Sequence, residues 1–259
     1  MTRSIPAVVA LLLAIATAGS AECGERLDLG RGVRKAGDPL VEAMDAAAAK
    51  AGMDGMILVE IASIVEDAQR MRLSQTLKVQ TAAAGARSVA EEAERGGLYG
   101  FDEKAWLKAA SPLVAVARSD EKVAAGRPRR EGKTVGATRQ ILEMRRDPVF
   151  ATEVAASALK AGMPAFREAF GRDPSPGEML VMHLFGADAA VRVTKAALRD
   201  ATTPCTQPLG AAAGRPSVRP FVTTTSGATL SARALAVTAE VAMAIKAKFA
   251  HRLLDRLRA

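Results

Sequence analysis

Apolar residues recur at helical spacing along most of this chain, and the elements follow from that period. A pattern over residues 39–50 stops at Gly52. A second, over residues 53–73, sets Ile57, Ile61, Ile64, Val65, Ala68 and Met71 on one face. An alanine-rich helix is predicted over residues 77–94, with Gly96-Gly97 as its stop signal. A short helix over residues 102–110 is expected to end near Pro112. Helices are then predicted over residues 135–146, 148–161, 164–171, 178–185 and 187–199, the fourth entered through the turn RDPSPGE. Residues 201–228 are rich in Thr, Pro, Gly and Ala and read as a linker. One long helix over residues 231–258 closes the sequence, with Leu235, Ala242, Ile245, Phe249, Leu253 and Leu257 as its apolar stripe. The short run FVTTT is the sole strand candidate, so the fold class expected is all-α.

Composition agrees. Of 259 residues, 49% are hydrophobic and 3% aromatic, with alanine abundant and β-branched runs few, which favours helices and excludes a disordered or collagenous chain. The N-terminus changes the picture. Arg3 makes a short positive region, Ala7 to Ala18 is an unbroken apolar run, and Ala16-Thr17-Ala18 or Gly19-Ser20-Ala21 supplies small residues for cleavage. Residues 1–21 therefore read as a secretory signal peptide, too short to span a bilayer. The mature chain is expected in the periplasm, exported across the inner membrane. Residues 22–38, Gly- and charge-rich, are expected to be extended ahead of a main domain over residues 39–200, a linker over 201–228 and a basic helix over 229–259. The net charge of +8 favours polyanionic partners, and export excludes nucleic acid among them. An acidic cell-wall polymer or anionic lipid remains. Cys23 and Cys205 form an even pair that an oxidising compartment could join, or leave as two thiols. Two cysteines with the distant His183 and His251 lack metal-ligand spacing, so neither metal nor cofactor is expected.

The stretch Gly97 to Leu107, GLYGFDEKAWL, holds the chain's single tyrosine and single tryptophan, together with Phe101. Such aromatics can bind the apolar faces of sugars while hydrogen-bonding at their tips, or can simply anchor a helical core. The stretch resembles, without a gap, the GLYQF-x-x-x-TWL segment of secreted bacterial lytic transglycosylases, whose domains have a goose-type-lysozyme-like fold. QILEMRRDPVFATEVAA resembles a segment that follows in one branch of that family. GRDPSPGEMLVMHLFGADAAVR is similar to a family stretch of the form GRxPTxGELYLAHFLGxxGA. The likeness covers roughly residues 53–200, in order.

The resemblance implies a lyase that cleaves the MurNAc-GlcNAc β-1,4 bond of peptidoglycan glycan strands and leaves 1,6-anhydro-MurNAc ends. One glutamate serves first as acid on the glycosidic oxygen, then as base while the muramic acid C6 hydroxyl closes on C1. That scheme needs a carboxyl kept protonated near neutrality and dispenses with the second carboxylate of ordinary glycosidases. By order along the chain the acid is Glu66, in IASIVEDA, with Glu60 as second choice. Tyr99, Gly100, Phe101 and His183 are the expected substrate-binding positions. Gly100 stands where the family has glutamine, so the lost amide would have to come from elsewhere, such as Gln75 or Gln80.

Other residues admit two readings. His183 either lines the cleft or packs on an apolar helix, and Glu178 reads best as a first-turn helix acid. Arg127, Arg129, Arg130 and Lys133, with Lys246 to Arg258, form a solvated face or track an anionic polymer or lipid. The final helix can also dock a membrane surface or a protein. The sequence thus leaves three functions open: a lytic transglycosylase, a catalytically inactive peptidoglycan-binding scaffold on the same fold, and a periplasmic adaptor acting through its C-terminal helix.

Overall fold

The computed structural model describes residues 39–79, 97–125, 134–215, 218–224 and 227–258. The predicted leader, the extended segment 22–38, most of the helix expected over 77–94 and the basic loop 126–133 lie outside them. The described residues are helical, with only two isolated bridges, Pro204 to Ser231 and Thr223 to Thr229, near the predicted FVTTT strand. The chain is all-α. Its main elements are α1 (Pro39–Ala51), α2 (Gly55–Val79), α3 (Glu103–Ala125), α4 (Thr134–Glu143), α5 (Pro148–Phe170), α6 (Pro176–Phe185), α7 (Ala187–Arg199), two single turns α8 (Thr206–Leu209) and α9 (Arg219–Val222), and α10 (Ala232–Arg258). No described helix is long and apolar enough to cross a membrane.

Helix α6 sits at the centre, because its sequence leaves no polar face. Gly177, Met179, Leu180, Val181, Met182 and Phe185 are all buried, and α5, α7 and α10 pack around them. Its entry is fixed by a capping box. Ser175 Oγ accepts from the Glu178 N–H, and the Glu178 carboxylate accepts from the Ser175 N–H at 2.8 Å. Arg172 grips the same carboxylate with two bonds of 2.7 and 2.8 Å while lying over the rings of Phe166 and Phe170. Burial alone would raise the Glu178 pKa, but Arg172 and Ser175 bring it below the usual carboxylate range. Glu178 is therefore a structural acid.

Helix α10 reaches into this entry. Glu240 accepts from Ser175 Oγ and from the Gly177 N–H, so it satisfies donors at the α6 N-terminus from across the interface. The approach is close enough to require glycine. A Cβ at position 177 would lie 2.5 Å from the Glu240 nitrogen and 2.7 Å from its Cα, both backbone atoms that cannot swing aside. Gly177→Ala is expected to cost about 2–3 kcal/mol, read as a lowered denaturation midpoint at unchanged slope. A loss below about 0.5 kcal/mol would show that the α6–α10 contact is looser than this.

Two expected breaks are absent. Pro112 lies inside α3, and Pro164 lies inside α5, which runs unbroken where two helices were expected. Both rings are exposed, as are Lys108 and Lys160, whose carbonyls lose their helical donors and can turn to water instead. Helix α5 is bounded by other signals. Asp147 caps its start, accepting from Val149 and Phe150, and Gly171 ends it at φ +67°.

Residues 201–228, expected to be a linker, contribute Cys205, Leu209, Val218 and Val222 to the core. The helix beyond is equally integral. Leu235, Ala239, Ala242 and Met243 of α10 are buried against α2, α6 and α7. Lys246 is paired with Asp67 of α2, so its charge is already neutralised. The side chains of Arg252, Arg256 and Arg258 lie outside the described residues. So does Cys23; the buried Cys205 thiol donates to the Val222 carbonyl at 3.8 Å.

Candidate functional site

The GLYGFDE turn is anchored from several helices, and glycine makes it possible. Gly97 and Gly100 both adopt φ +62°, and the Gly100 N–H donates to the Gly97 carbonyl at 3.2 Å. A Cβ at position 97 would stand 2.4 Å from the Arg145 carbonyl oxygen. Arg145, itself buried, turns its side chain back to the Leu142 and Phe101 carbonyls and toward Glu103 at 3.8 Å.

The aromatic residues of the turn point inward. Tyr99 is 1% exposed, and its hydroxyl lies 3.2 Å from Thr152 Oγ1. Thr152 donates its own proton to the Pro148 carbonyl, which leaves Tyr99 as the donor to Thr152. Burial pushes the phenol pKa upward, so it stays neutral. Phe101 and Trp106 are also buried, edge to face with ring centres 5.8 Å apart, and the indole N–H donates to the Ile141 carbonyl at 2.6 Å. Tyr99 and Phe101, expected as substrate-binding positions, are thus placed with their rings in the core. Their rings build the floor beneath the turn and offer no face to solvent.

His183 of α6 belongs to the same floor. Its ring meets the edges of Tyr99 and Phe101, and Nε2 donates to the Tyr99 carbonyl at 2.8 Å. Burial depresses its pKa to about 4, so the imidazole is neutral at physiological pH and that bond fixes the Nε2–H tautomer. Nδ1 is buried with no hydrogen-bond partner. Of the two readings for His183, the structure favours packing that holds the turn. Arg215, from the segment expected to be a linker, completes the support. It bonds Asp102 Oδ2 at 2.8 Å and the Leu184 carbonyl, while Asp102 Oδ1 caps α3 through the Ala105 N–H.

The outer side of the turn faces α2. The position of a Cβ on Gly100 lies 2.7 Å from Val65 Cγ1 and 3.3 Å from Gln69 Nε2. Those two residues flank Glu66 on the helix. At about 100° per residue, Glu66 is about 60° around α2 from Gln69, whereas Glu60 is about 180° from it. Glu66 is half-buried on the flank nearest the turn. Glu60 is 5% exposed on the far side.

Glu60 nevertheless has a perturbed acidity. Burial, with the nearby Asp54 charge, raises Glu60 to about 7. A carboxyl with a raised folded pKa holds its proton in the native state after the unfolded chain has lost it, so stability falls as pH rises from about 4.5 to about 7. Glu60→Gln, permanently neutral, is expected to raise Tm at pH 8, the gain capped at about 3 kcal/mol, and to lose that advantage toward pH 4. An equal Tm difference at both pH values would sink this account of Glu60.

Among the described residues no group of His, Cys, Asp or Glu side chains could hold a metal ion. Gln80 and the side chain of Gln75, expected as substitutes for the missing amide, lie outside the described residues. An apolar pocket bordered by Ile64, Leu184, Phe221 and Thr238 is remote in chemistry from this site, carrying no carboxylate or base. No protein-family model and no curated protein matches this chain.

Proposed function

We propose that this chain is a peptidoglycan lytic transglycosylase with a goose-type-lysozyme-like domain, exported to the periplasm, and that Glu66 is its acid and base. The observation that carries this reading is the seating of the Gly100 turn on Val65 and Gln69, the neighbours of Glu66. The segment that resembles GLYQF thus packs on the turn of α2 that carries the glutamate the resemblance selects, though the two are far apart in sequence. The rigid floor of Tyr99, Phe101, Trp106 and His183 suits a site that must hold a sugar ring still against one carboxyl.

A second reading, a non-catalytic peptidoglycan-binding scaffold on the same fold, is favoured by Gly100, which removes a groove amide, and by Tyr99, whose hydroxyl is spent on Thr152. The adaptor reading has less support, because much of α10 is core. Purified sacculi digested with the mature protein separate these readings by mass spectrometry of the soluble fraction. Anhydro-muropeptides support the enzyme. Binding to sacculi with no release supports the scaffold, and neither result supports the adaptor.

A further inference from the structure

We propose that Gln69 supplies the ligand-binding amide that Gly100 lacks, and binds the acetamido and hydroxyl groups of an N-acetylated glycan beside Glu66. The inference rests on the glycan-binding part of the proposed function. It starts from the close approach of α2 to the turn. Because Gly100 has no side chain, Val65 and Gln69 occupy the space where one would begin, with Gln69 Nε2 3.3 Å from the position of the Cβ. Any larger residue at position 100 would meet Val65 Cγ1 at 2.7 Å and carry the strain of φ +62° as well. Glycine and the approaching helix are therefore one arrangement. What the turn loses as a side chain, the helix returns as a carboxamide at nearly the same place.

The amide is also unspent. Gln69 is half-buried, and among the described residues no hydrogen bond engages its side chain. A carboxamide carries two N–H donors and a carbonyl acceptor, and the donors suit the carbonyl oxygen of an acetamido group. Gln69 lies three residues after Glu66, so the two side chains are neighbours on the helix surface. One element thereby presents a carboxyl and a carboxamide side by side.

The test compares the mature wild-type protein with Gln69→Met and Gln69→Glu, both close to glutamine in length. Three quantities are read: the KM and kcat for anhydro-muropeptide release from solubilised glycan strands, pelleting with sacculi, and Tm. The expected result is a KM raised about tenfold by Gln69→Met, with kcat changed much less and Tm held, as for one lost ligand hydrogen bond. Gln69→Glu, which repels muramyl carboxylates, should weaken pelleting further. Unchanged KM and pelleting, with or without a lower Tm, would overturn the role of Gln69 while leaving the enzyme in place. If wild type pellets but releases nothing, the transglycosylase reading fails, and loss of pelleting in Gln69→Met still upholds the amide. If wild type does neither, both fall.

Discussion

Sacculi digested with a Glu66→Gln variant are expected to release about a thousandfold less anhydro-muropeptide than those digested with wild type, with pelleting preserved. The proposed reaction asks one carboxyl to give a proton to the glycosidic oxygen and then to take one from the C6 hydroxyl. A carboxamide of the same shape does neither, so the loss falls on kcat and little on binding. Glu60→Gln is the informative control. Glu60 has the acidity such a catalyst needs, raised to about 7, yet it lies around α2 from the face that meets the Gly100 turn. Position is expected to prevail over acidity, because a proton cannot be delivered through the body of a helix. Glu60→Gln should therefore keep wild-type turnover. The reverse outcome, in which Glu60→Gln is dead and Glu66→Gln active, would transfer the assignment to Glu60.

Much of this arrangement could be read from local sequence. The all-apolar run in α6 announces a buried helix, and Ser175 with Glu178 three residues later announces its capped start. Period does not reveal long-range contacts. Pro112 and Pro164 read as breaks, yet each lies on an exposed face where a lost backbone bond can be met by water. Residues 201–228 read as a linker because their buried side chains, Cys205, Leu209, Val218 and Val222, follow no helical or strand spacing. Arg145 and Arg215 carry no local sequence signal for a related reason. Each serves the turn by bonding main-chain carbonyls, Phe101 for one and Leu184 for the other, and no side-chain motif records such a contact. A signal for the floor was nevertheless present. A chain with one tyrosine and one tryptophan, both within a single short stretch, was marking where its largest rings are buried.

That concentration of rings predicts the largest loss of stability. Trp106→Ala is expected to cost about 4 kcal/mol, a large share of the 5–15 kcal/mol that typically holds a domain together. The indole is 1% exposed and meets Phe101 and Phe150 edge to face, so its removal leaves a large space in a packed core. Its N–H also reaches the Ile141 carbonyl in the last turn of α4, where helical donors run out, and Arg145 reaches the adjacent Leu142 carbonyl in the same way. Trp106→Phe separates the two contributions. It keeps most of the packing and removes the donor, for an expected cost of about 1–3 kcal/mol. Since Trp106 is the only tryptophan, unfolding of both variants has to be followed by far-ultraviolet circular dichroism during denaturant titration. A loss below about 1 kcal/mol for Trp106→Ala would mean that the floor collapses to fill the cavity. The turn above it would then be held chiefly by Arg145, Arg215 and His183. A full loss, with the Phe variant intermediate, would show that the ring and its N–H both support the surface on which the proposed chemistry depends.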